Sequence, residues 1–554
     1  PPAAIRALGS KAAAKALAAR QGVPCLPGYA GDDQSERRFA AEAEKIGYPV
    51  MVKAVAGGGG RGMRLVAEPA RLPQALNSAR SEALAGFGNG ELLIERAVPH
   101  PRHVEVQVFA DAHGHAIHLG ERDCSVQRRH QKIIEEAPSP AVTPALRARM
   151  GQCAVALAQG AGYVGAGTVE FLLEGTDFFL MEMNTRLQVE HPVTEAITGL
   201  DLVEWQIRVA RGEPLPLTQD QVQLQGHAIE VRLCAEDEHY VPHSGSILHF
   251  AAPPGARAFE RAPLRFDHAI EAGGEVTPFY DAMLGKLIVH AATRGEAIAR
   301  LIAALEQTEL LGLPSNRGFL VECLDHARFR SGDALISFLA EHGDALRELL
   351  LKKEQTVHDR CALAAVSSPG SGDLPCAFAA PLRLAHRGEV STLAVRARAG
   401  GVQVVGDAPR TIALQPLAGG AVRCSEDGLD QQVRAVAAPT ADAPRRWHAQ
   451  AGGVDWWFDD LSFEPVADNG RAEAATELKA PFNGRVVRVA ARPGQRLAAG
   501  ETAVAIESMK LEHSLSPRAD ATVAEVLVTE GQQVSPGQVL LRFAVPEAGE
   551  EFLK

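Results

Sequence analysis

The stretch Met181–His191, which reads M-E-M-N-T-R-L-Q-V-E-H, places a polar side chain at every second position. Because alternate side chains of a β-strand share a face, it predicts a strand whose polar face carries Glu182, Asn184, Arg186, Gln188 and Glu190. Carboxylates and amides are oxygen ligands suited to Mg²⁺, and a guanidinium suits an oxyanion. An ordinary strand with one hydrated face is the alternative.

A second acid favours the metal-site interpretation. Glu170 lies in the apolar run T-V-E-F-L-L, which predicts a buried strand next to the first one. Two carboxylates brought together in a sheet repel each other unless a cation lies between them. The sequence therefore predicts a metal site between these two strands.

The bulk composition excludes several classes of protein. A chain of 554 residues is expected to form about two to four domains. A net charge of −12 argues against general nucleic-acid binding, and no apolar run approaches the roughly 18 residues that span a bilayer. Eight scattered cysteines without a C-x-x-C pair indicate a reducing compartment, for which we expect the bacterial cytoplasm, with the mitochondrial matrix as the alternative. Because the first residue is proline, we expect the original N-terminus and any targeting signal to be missing.

A glycine-rich run lies between two predicted strands near the N-terminus. Tyr48–Val55 is followed by G-G-G-G-R-G at residues 57–62 and by a short strand, Met63–Val66. A dinucleotide fingerprint or a P-loop would open a helix there, so both are rejected. The remaining interpretation is a hairpin whose backbone N–H groups cover a polyphosphate, with Lys53 on its first strand. A surface hairpin without function is the alternative.

The composition changes in the C-terminal third. Short alternating segments with glycine turns between Pro381 and Pro465 predict a small antiparallel β barrel or sandwich. We assign residues 346–465 to this middle domain, with a docking role, and residues 466–478 to a flexible linker.

The tail contains an internal repeat. Val486, Val489, Gly494 and Gly500 recur as Val523, Val526, Gly531 and Gly537, an offset of 37 residues. Two copies of a short β unit predict a compact sandwich with a pseudo-twofold axis. Lys510 lies near its centre, between Met509 and Leu511, where a tight turn would present it at an exposed tip.

These motifs together resemble those of a known family. Residues 1–345 resemble the ATP-grasp biotin carboxylases through G-G-G-G-R-G-M (57–63), P-R-H-V-E-V-Q (101–107), E-R-D-C-S-V-Q-R-R-H-Q-K (121–132) and E-M-N-T-R-L-Q-V-E-H-P-V-T-E (182–195). Residues 479–545 resemble a biotin carboxyl carrier domain, with Ser508 and Leu511 as mild departures. The order of the parts is similar to that of α subunits of biotin-dependent acyl-CoA carboxylases, especially the methylcrotonyl-CoA and geranyl-CoA types.

The resemblance implies an α+β multidomain fold: an ATP-grasp biotin carboxylase, a middle antiparallel β barrel and a C-terminal β-sandwich biotinyl domain. It also implies that the N-terminal subdomain of the carboxylase is missing before Pro1.

The resemblance also implies a role for each matching residue. ATP would be bound by residues of several strands and loops: Lys11, Lys53, Gly58, Gly59, Glu95, His103, Gln127, His130 and Gln131. Mg²⁺ or Mn²⁺ would be bound by Glu170, Glu182 and Asn184. Bicarbonate would be bound by Lys132, Arg186, Gln188 and the Val189 backbone, with Glu190 as its general base. Arg232 would stabilise the biotin enolate, and Lys510 would carry biotin covalently.

The implied function is ATP-dependent carboxylation of biotin by bicarbonate and its delivery to an acyl-CoA carboxyltransferase. Because no second long catalytic region follows the carrier, that transferase is expected on a separate β subunit, in a hetero-oligomer such as α6β6, and a biotin protein ligase is a further partner. The alternatives are a propionyl-CoA or acetyl-CoA carboxylase α subunit, a two-chain pyruvate carboxylase, and another ATP-grasp ligase. A carrier or docking protein with an inactive ATP-grasp half, including a lipoyl carrier, also remains open.

Overall fold

The structure is a computed structural model that describes nine segments: residues 1–56, 62–128, 131–366, 378–398, 401–406, 408–438, 445–464, 476–509 and 511–544. The side chains of Lys11 and Leu511 are not described either. The predictions for Gly58, Gly59, His130 and Lys510, and for residues 466–475 of the linker, therefore lie outside the described residues.

The N-terminal lobe is a small sheet with helices. Its strands follow the order β1-β4-β2-β3. The elements are α1 (Pro2–Gly9), α2 (Lys11–Arg20), β1 (Gly28–Tyr29), α3 (Glu36–Ile46), β2 (Val50–Ala54), β3 (Arg64–Val66), α4 (Leu72–Phe87) and β4 (Leu92–Arg96). Strands β2 and β3 pair antiparallel from Val50 and Val66, which confirms the predicted hairpin on either side of the glycine run.

The central unit is an eight-stranded antiparallel sheet in the order β13-β15-β10-β7-β6-β5-β8-β9. Its first half comprises β5 (Arg102–Ala110), β6 (Ala116–Arg128), β7 (Gln131–Ala137), α5 (Pro144–Gly160), β8 (Gly165–Glu174), β9 (Asp177–Asn184), α6 (His191–Thr198), α7 (Leu202–Ala210) and β10 (His227–Cys234). Its second half comprises β11 (Gly245–Ser246), β12 (His249–Ala251), β13 (Leu264–His268), β14 (Glu275–Val276), β15 (Met283–Ala291), α8 (Arg294–Gln307), β16 (Glu309–Leu311), α9 (Arg317–Asp325), α10 (Ala327–Arg330) and α11 (Phe338–Val366).

The prediction of one continuous strand over Met181–His191 is wrong. Strand β9 ends at Asn184, a turn follows, and helix α6 begins at His191 with Glu190 as its N-cap residue. Pro192 lies in the first turn of that helix, where its missing N–H leaves no hydrogen bond unmade and its fixed φ suits a helix start. Of the five alternating polar residues, only Glu182 and Asn184 therefore lie in a strand.

A closed eight-stranded barrel follows the carboxylase-like part. Its strands are β17 (Ala380–His386), β18 (Glu389–Arg398), β19 (Gly401–Val405), β20 (Arg410–Pro416), β21 (Ala421–Glu426), β22 (Leu429–Ala438), β23 (Arg445–Ala451) and β24 (Val454–Asp460). Helix α11 runs through the boundary predicted at residues 345 and 346. Its residues 361–365 are all buried in the same core as the barrel strands, so the end of this helix fills the barrel.

The C-terminal domain has two four-stranded sheets, in the orders β25-β32-β30-β27 and β29-β28-β26-β31. The strands are β25 (Glu477–Lys479), β26 (Gly484–Val489), β27 (Arg496–Leu497), β28 (Val504–Ser508), β29 (Leu511–Leu515), β30 (Ala521–Val526), β31 (Gln533–Val534) and β32 (Val539–Phe543). Each sheet takes the short strand β27 or β31 from the other repeat, as a pseudo-twofold sandwich requires. Because β25 pairs with β32, the end of the predicted linker belongs to this domain.

Among the described residues, no helix is long and apolar enough to cross a membrane. The cysteines of the described segments are all free thiols, as expected for a reducing compartment.

Candidate active site

Strand β5 separates the core of the central unit from a polar cluster. Val104, Val106 and Val108 belong to the apolar core shared with helix α5. Glu105 and Gln107 alternate with them and are fully buried. Because successive strand residues point to opposite faces, the core on one face fixes the polar side chains on the other. A buried charge needs partners, and the neighbouring strands supply them.

The Lys132 ammonium lies among three buried carboxylates. Its Nζ donates to Glu105 Oε2 at 2.5 Å, to Glu190 Oε1 at 2.6 Å and to Glu170 Oε1 at 2.9 Å. Lys132 belongs to β7 and its three partners come from β5, β8 and the N-cap of α6. The amino group therefore joins parts of the sheet that are far apart in sequence.

A second cation holds the other oxygen of Glu190. Arg232, on β10, donates from its guanidinium to Glu190 Oε2 at 2.9 Å and to Glu135 Oε1 at 2.6 Å. Glu190 is thus bound between Lys132 and Arg232 and is almost fully buried. These three predicted residues are brought together, in an arrangement that keeps one carboxylate ionised between two fixed positive charges.

A fully buried arginine, Arg122, contacts the cluster through Glu105. Arg122 donates to Glu105 Oε1 at 2.6 Å and to Gln107 Oε1 at 2.8 Å. It also donates to Thr194 Oγ1 at 3.0 Å, which ties the sheet to helix α6. Its planar fork fixes the orientation of Glu105, and therefore of the Lys132 amino group.

The charges of the cluster set its protonation states. Burial raises the pKa of Glu105, but Lys132 and Arg122 outweigh that effect and lower it to about 2. Burial and the neighbouring Glu105 raise the pKa of Glu190, and here too Lys132 and Arg232 outweigh them and leave it below its ordinary value. Burial lowers the pKa of Lys132, but the surrounding carboxylates raise it well above the ordinary value. At neutral pH Glu105, Glu190 and Lys132 are therefore ionised.

The predicted metal ligands lie on two paired strands. Glu170 and Glu182 are direct cross-strand partners of β8 and β9, which puts their side chains on one face of the sheet. Asn184 donates to Glu170 Oε1 at 2.8 Å. Two acids facing each other, with an amide oxygen nearby, fit a hard divalent cation such as Mg²⁺ or Mn²⁺.

A second donor set overlaps with the first. One ligand atom from each of His103, Glu105 and Glu170 lies within 4.8 Å of the other two. The two sets share only Glu170, whose second oxygen is 3.2 Å from His103 Nε2. His103 was predicted to contact the nucleotide. Its Nδ1 is 2.7 Å from the side-chain nitrogen of Gln127, which was also predicted to bind ATP.

The predicted nucleotide ligands of the N-terminal lobe form a separate pair. Lys53 Nζ donates to Glu95 Oε2 at 2.7 Å, and both side chains are largely buried. Lys15, which the sequence analysis did not select, pairs with the other oxygen of Glu95. Gln131, also assigned to ATP, instead accepts a hydrogen bond from Arg128 at 2.8 Å.

The predicted bicarbonate ligands are not all brought together. Gln188 joins the cluster through a hydrogen bond to Glu170 at 3.0 Å, and the Val189 carbonyl accepts from Lys286 Nζ at 2.6 Å. Arg186 is exposed, and its hydrogen bond within the described residues is to the Leu187 carbonyl at 3.3 Å. The turn after Asn184 explains this difference, because it ends the alternation that would have kept Arg186 on the polar face.

Several members of the cluster were missed as functional residues. Glu105, Arg122, Glu135 and Lys286 contact the predicted site residues Lys132, Gln188, Arg232 and Val189, respectively. Glu105 lies between His103 and Gln107 in an alternating strand, which is a signal that sequence reasoning offers. The contacts of Arg122 and Lys286 depend on the strand order of the sheet, so no local pattern reveals them.

In the C-terminal domain, the hairpin of β28 and β29, which we call the carrier hairpin after the predicted role of Lys510, approaches the central unit beside this site. Met509, at the turn between β28 and β29, has a φ of 47° and packs with Cys234 and Ala282 in one apolar cluster. Cys234 ends the same strand that carries Arg232. Met509 flanks the predicted exposed tip, and its side chain is buried against the central unit.

Comparisons with known proteins follow the same division of the chain. The family model described as the ATP binding domain of the carbamoyl-phosphate synthase L chain matches residues 10–218. The biotin carboxylase C-terminal domain matches residues 230–341, and the model described as biotin-requiring enzyme matches residues 476–543. The eight-stranded barrel thus lies between the two last matches.

The mitochondrial methylcrotonoyl-CoA carboxylase α subunit of Mus musculus is 37% identical over 581 residues, with 99% of this chain and 79% of that protein covered. The chain belongs to the family of the methylcrotonoyl-CoA carboxylase α subunits. The chain is also 49% identical to the biotin carboxylase of Halalkalibacterium halodurans over 343 residues. The match covers 62% of this chain and 75% of that protein.

Solved structures resemble the carboxylase part of the α subunit. The biotin carboxylase domain of the Hydrogenobacter thermophilus 2-oxoglutarate carboxylase, in complex with MgADP, ADP and bicarbonate, is 41% identical with a TM-score of 0.59. That match covers 62% of this chain and 75% of the other. A Campylobacter jejuni biotin carboxylase in a β,γ-ATP complex has the same identity and TM-score, over 61% of this chain and 75% of that one.

Proposed function

We propose that this α subunit carboxylates biotin on its own carrier domain, using ATP and bicarbonate, and delivers the carboxyl group to a separate carboxyltransferase. The observation that carries the proposal is the binding of Glu190 between Lys132 and Arg232 in a buried cluster. Family membership supports it, and the solved relatives with MgADP and bicarbonate supply the ligand classes.

Glu190 is the general base in this proposal. Its lowered pKa keeps it ionised at neutral pH, so it is ready to accept the bicarbonate proton. The deprotonated oxygen then attacks the γ-phosphorus of ATP, and the bond between that phosphorus and the β,γ-bridging oxygen breaks to release ADP. Phosphoryl transfer of this kind depends mainly on positioning and on cations around the γ-phosphate.

Fixed cations stabilise the negative charge that develops. Lys132 and Arg232 are oriented by Glu105 and Glu135 before any substrate arrives, so little reorganisation is needed during the reaction. Arg232 offers its planar fork to an oxyanion on the acceptor. Arg186 would join the bicarbonate site by a side-chain rotation, which its exposure permits.

Glu170, Glu182 and Asn184 would hold Mg²⁺ or Mn²⁺, which neutralises phosphate charge when bound. The nucleotide would be bound by residues of the N-terminal lobe and of strands β5 to β7: Lys11, Lys53, Gly58, Gly59, Glu95, His103, Gln127, His130 and Gln131.

Biotin on Lys510 supplies the nitrogen that accepts the carboxyl group, and a biotin protein ligase would attach it. The residues around it are consistent with that role: Met509 has a positive φ, and Ser508 Oγ donates to the Asn483 carbonyl at 2.7 Å, which fixes the hairpin beside the modified position. Mass spectrometry after coexpression with a biotin protein ligase should find biotin on Lys510, and an unmodified lysine would reject the carrier assignment.

The acyl-CoA substrate is proposed from the relatives. Methylcrotonoyl-CoA is favoured, with geranyl-CoA as a related choice, since the relatives matched along nearly the whole chain carry the former in their names. The partner would be a carboxyltransferase β subunit held by the barrel in an assembly such as α6β6. The free thiols of the described cysteines fit a reducing compartment, and we assign the chain to the bacterial cytoplasm.

The test is ATP hydrolysis by the purified full-length subunit with free biotin as acceptor. We expect ADP release that requires bicarbonate, and a loss on the order of 10²–10⁴-fold in Glu190→Gln, the range for a general base. Arg208→Gln, at an exposed ion pair of helix α7, is the matched control and should retain the wild-type rate. Unchanged turnover in Glu190→Gln would reject the base assignment.

A further inference from the structure

A single loop near the active site contacts the central unit, the barrel and the carrier domain. We call residues Glu236–Ser244, which follow strand β10, the relay loop. Asp237 organises it by accepting hydrogen bonds from the backbone N–H groups of His239 and Val241, both at 2.9 Å. Tyr240 has a φ of 64°, a conformation that a bulky side chain adopts only when its surroundings impose it.

The relay loop is joined to the active-site hairpin. Arg128 donates to Glu236 Oε1 at 2.5 Å, and its guanidinium lies 5.2 Å from the centre of the Tyr240 ring. Arg128, the last residue of β6, also donates to Gln131, the first residue of β7. Lys132 follows Gln131 directly, so the loop packs against the hairpin that carries the central ammonium group.

The relay loop is also joined to the barrel. Arg387 lies at the tip of the β17–β18 hairpin with a φ of 50°, and donates to both oxygens of Glu354 on α11, at 2.9 and 2.7 Å. Its remaining terminal nitrogen donates to Glu238 of the relay loop. Arg347, also on α11, lies with its guanidinium 5.7 Å from the Tyr240 ring. The barrel and helix α11 therefore each contact the relay loop through a guanidinium group, that of Arg387 and that of Arg347.

The opposite side of the relay loop faces the carrier domain. Val241 packs against the carrier's apolar core, and Ser244 Oγ accepts a hydrogen bond from Asn483 Nδ2 at 3.0 Å. The Asn483 carbonyl accepts from Ser508, two residues before Lys510. A path of direct contacts thus runs from a barrel residue, through the loop, to the carrier hairpin.

We propose that the relay loop is the platform on which the carrier docks for carboxylation, and that Arg387 is a positioning residue for this docking. Arg387 contacts neither the carrier nor the cluster around Lys132 in the described residues; it acts by holding Glu238. The barrel then has a role in the carboxylase half-reaction, in addition to any contact with another subunit. This inference rests on the proposed function, because it concerns delivery of biotin by the carrier.

The experiment compares two acceptors in the same protein. The biotinylated full-length subunit is given MgATP and radiolabelled bicarbonate, and the initial rate of label appearing on its own carrier is measured. The rate on free biotin is measured separately. Arg387→Ala should lower the carrier rate by about tenfold, the effect of losing one charge-assisted hydrogen bond from the docked state, and leave the free-biotin rate within about twofold of wild type.

Two further variants test the mechanism of the effect. Arg387→Lys keeps a charge that reaches Glu238 but loses the two-pronged contact with Glu354, so it should recover part of the carrier rate. Arg398→Ala is the matched control, because Arg398 lies at the other end of β18 and bonds Gln403 at 3.2 and 2.8 Å. It should resemble wild type with both acceptors.

The outcomes are separable. Equal carrier rates in Arg387→Ala and wild type would overturn the inference, and so would an equal fall in both rates, which would indicate general damage to the fold. A wild-type protein that labels neither acceptor would reject the proposed function itself, and the inference with it.

Discussion

Replacement of Arg122 by methionine should loosen strand β5 specifically. Arg122 is fully buried, and its partners Glu105, Gln107 and Thr194 lie at 2.6, 2.8 and 3.0 Å. Methionine keeps much of the side-chain volume but leaves the Glu105 carboxylate with one cation fewer. Removing one partner of a buried ion pair costs about 3–5 kcal/mol, because the other charge stays buried.

Hydrogen exchange reads this cost locally, which suits a multidomain chain whose unfolding is not two-state. A loss of about 3–5 kcal/mol corresponds to exchange faster by roughly two to three and a half orders of magnitude in peptides covering Arg102–Ala110. Arg208→Met is the control, because Arg208 is 42% exposed and pairs with Glu213 at 2.9 Å. An exposed pair contributes less than about 1 kcal/mol. Equal exchange of β5 in the two variants would refute the reasoning.

Three further predictions concern the same cluster. Glu182→Gln should raise the Mg²⁺ concentration needed for half-maximal ATP hydrolysis by roughly tenfold, because a charged ligand of the metal is lost. EDTA should abolish hydrolysis. An unchanged Mg²⁺ requirement would remove Glu182 from the metal site. Glu105→Gln should lower the thermal midpoint most above about pH 4.5, with the difference shrinking as the pH falls towards about 2. The stabilisation from a lowered carboxyl pKa is complete above the pKa of the unfolded state and is lost as the pH falls through the pKa of the folded state. A difference independent of pH would contradict this. Burial, together with the positive charge of Lys286, lowers the pKa of His191 to about 4. NMR should therefore show its ring neutral at about pH 5.5, with the signal assigned by its loss in His191→Gln. Titration of the ring near about 6.5 would be the opposing result.

Local periodicity was sufficient to predict much of the fold. The β2–β3 hairpin, an antiparallel middle β domain and the two-repeat carrier each follow from alternation, glycine turns or internal similarity, whereas these patterns left a barrel or a sandwich open for the middle domain. The same rule failed after Asn184, where Pro192 and the start of α6 end the strand. Alternation alone does not locate the end of a strand, because a turn and a helix start can preserve the same spacing of polar residues.

The centre of the site depends on strand order. Lys132 contacts Glu105, Glu170 and Glu190, which lie 27, 38 and 58 residues away in the sequence. Their meeting requires β7, β6, β5 and β8 to be neighbours in one sheet, and periodicity does not give that order. The burial of Met509 against Cys234 is likewise a contact between domains, outside the reach of a local pattern.

The most direct test of the central claim is the amount of carboxyl group fixed on the chain itself. The biotinylated full-length subunit is incubated with MgATP and radiolabelled bicarbonate, quenched at alkaline pH and separated from small molecules. We expect protein-bound label in proportion to the biotin content, none in Lys510→Ala, and label that forms on the order of 10²–10⁴-fold more slowly in Glu190→Gln. Label on Lys510→Ala, a wild-type labelling rate in Glu190→Gln, or an unlabelled wild type that is fully biotinylated would be the opposite result.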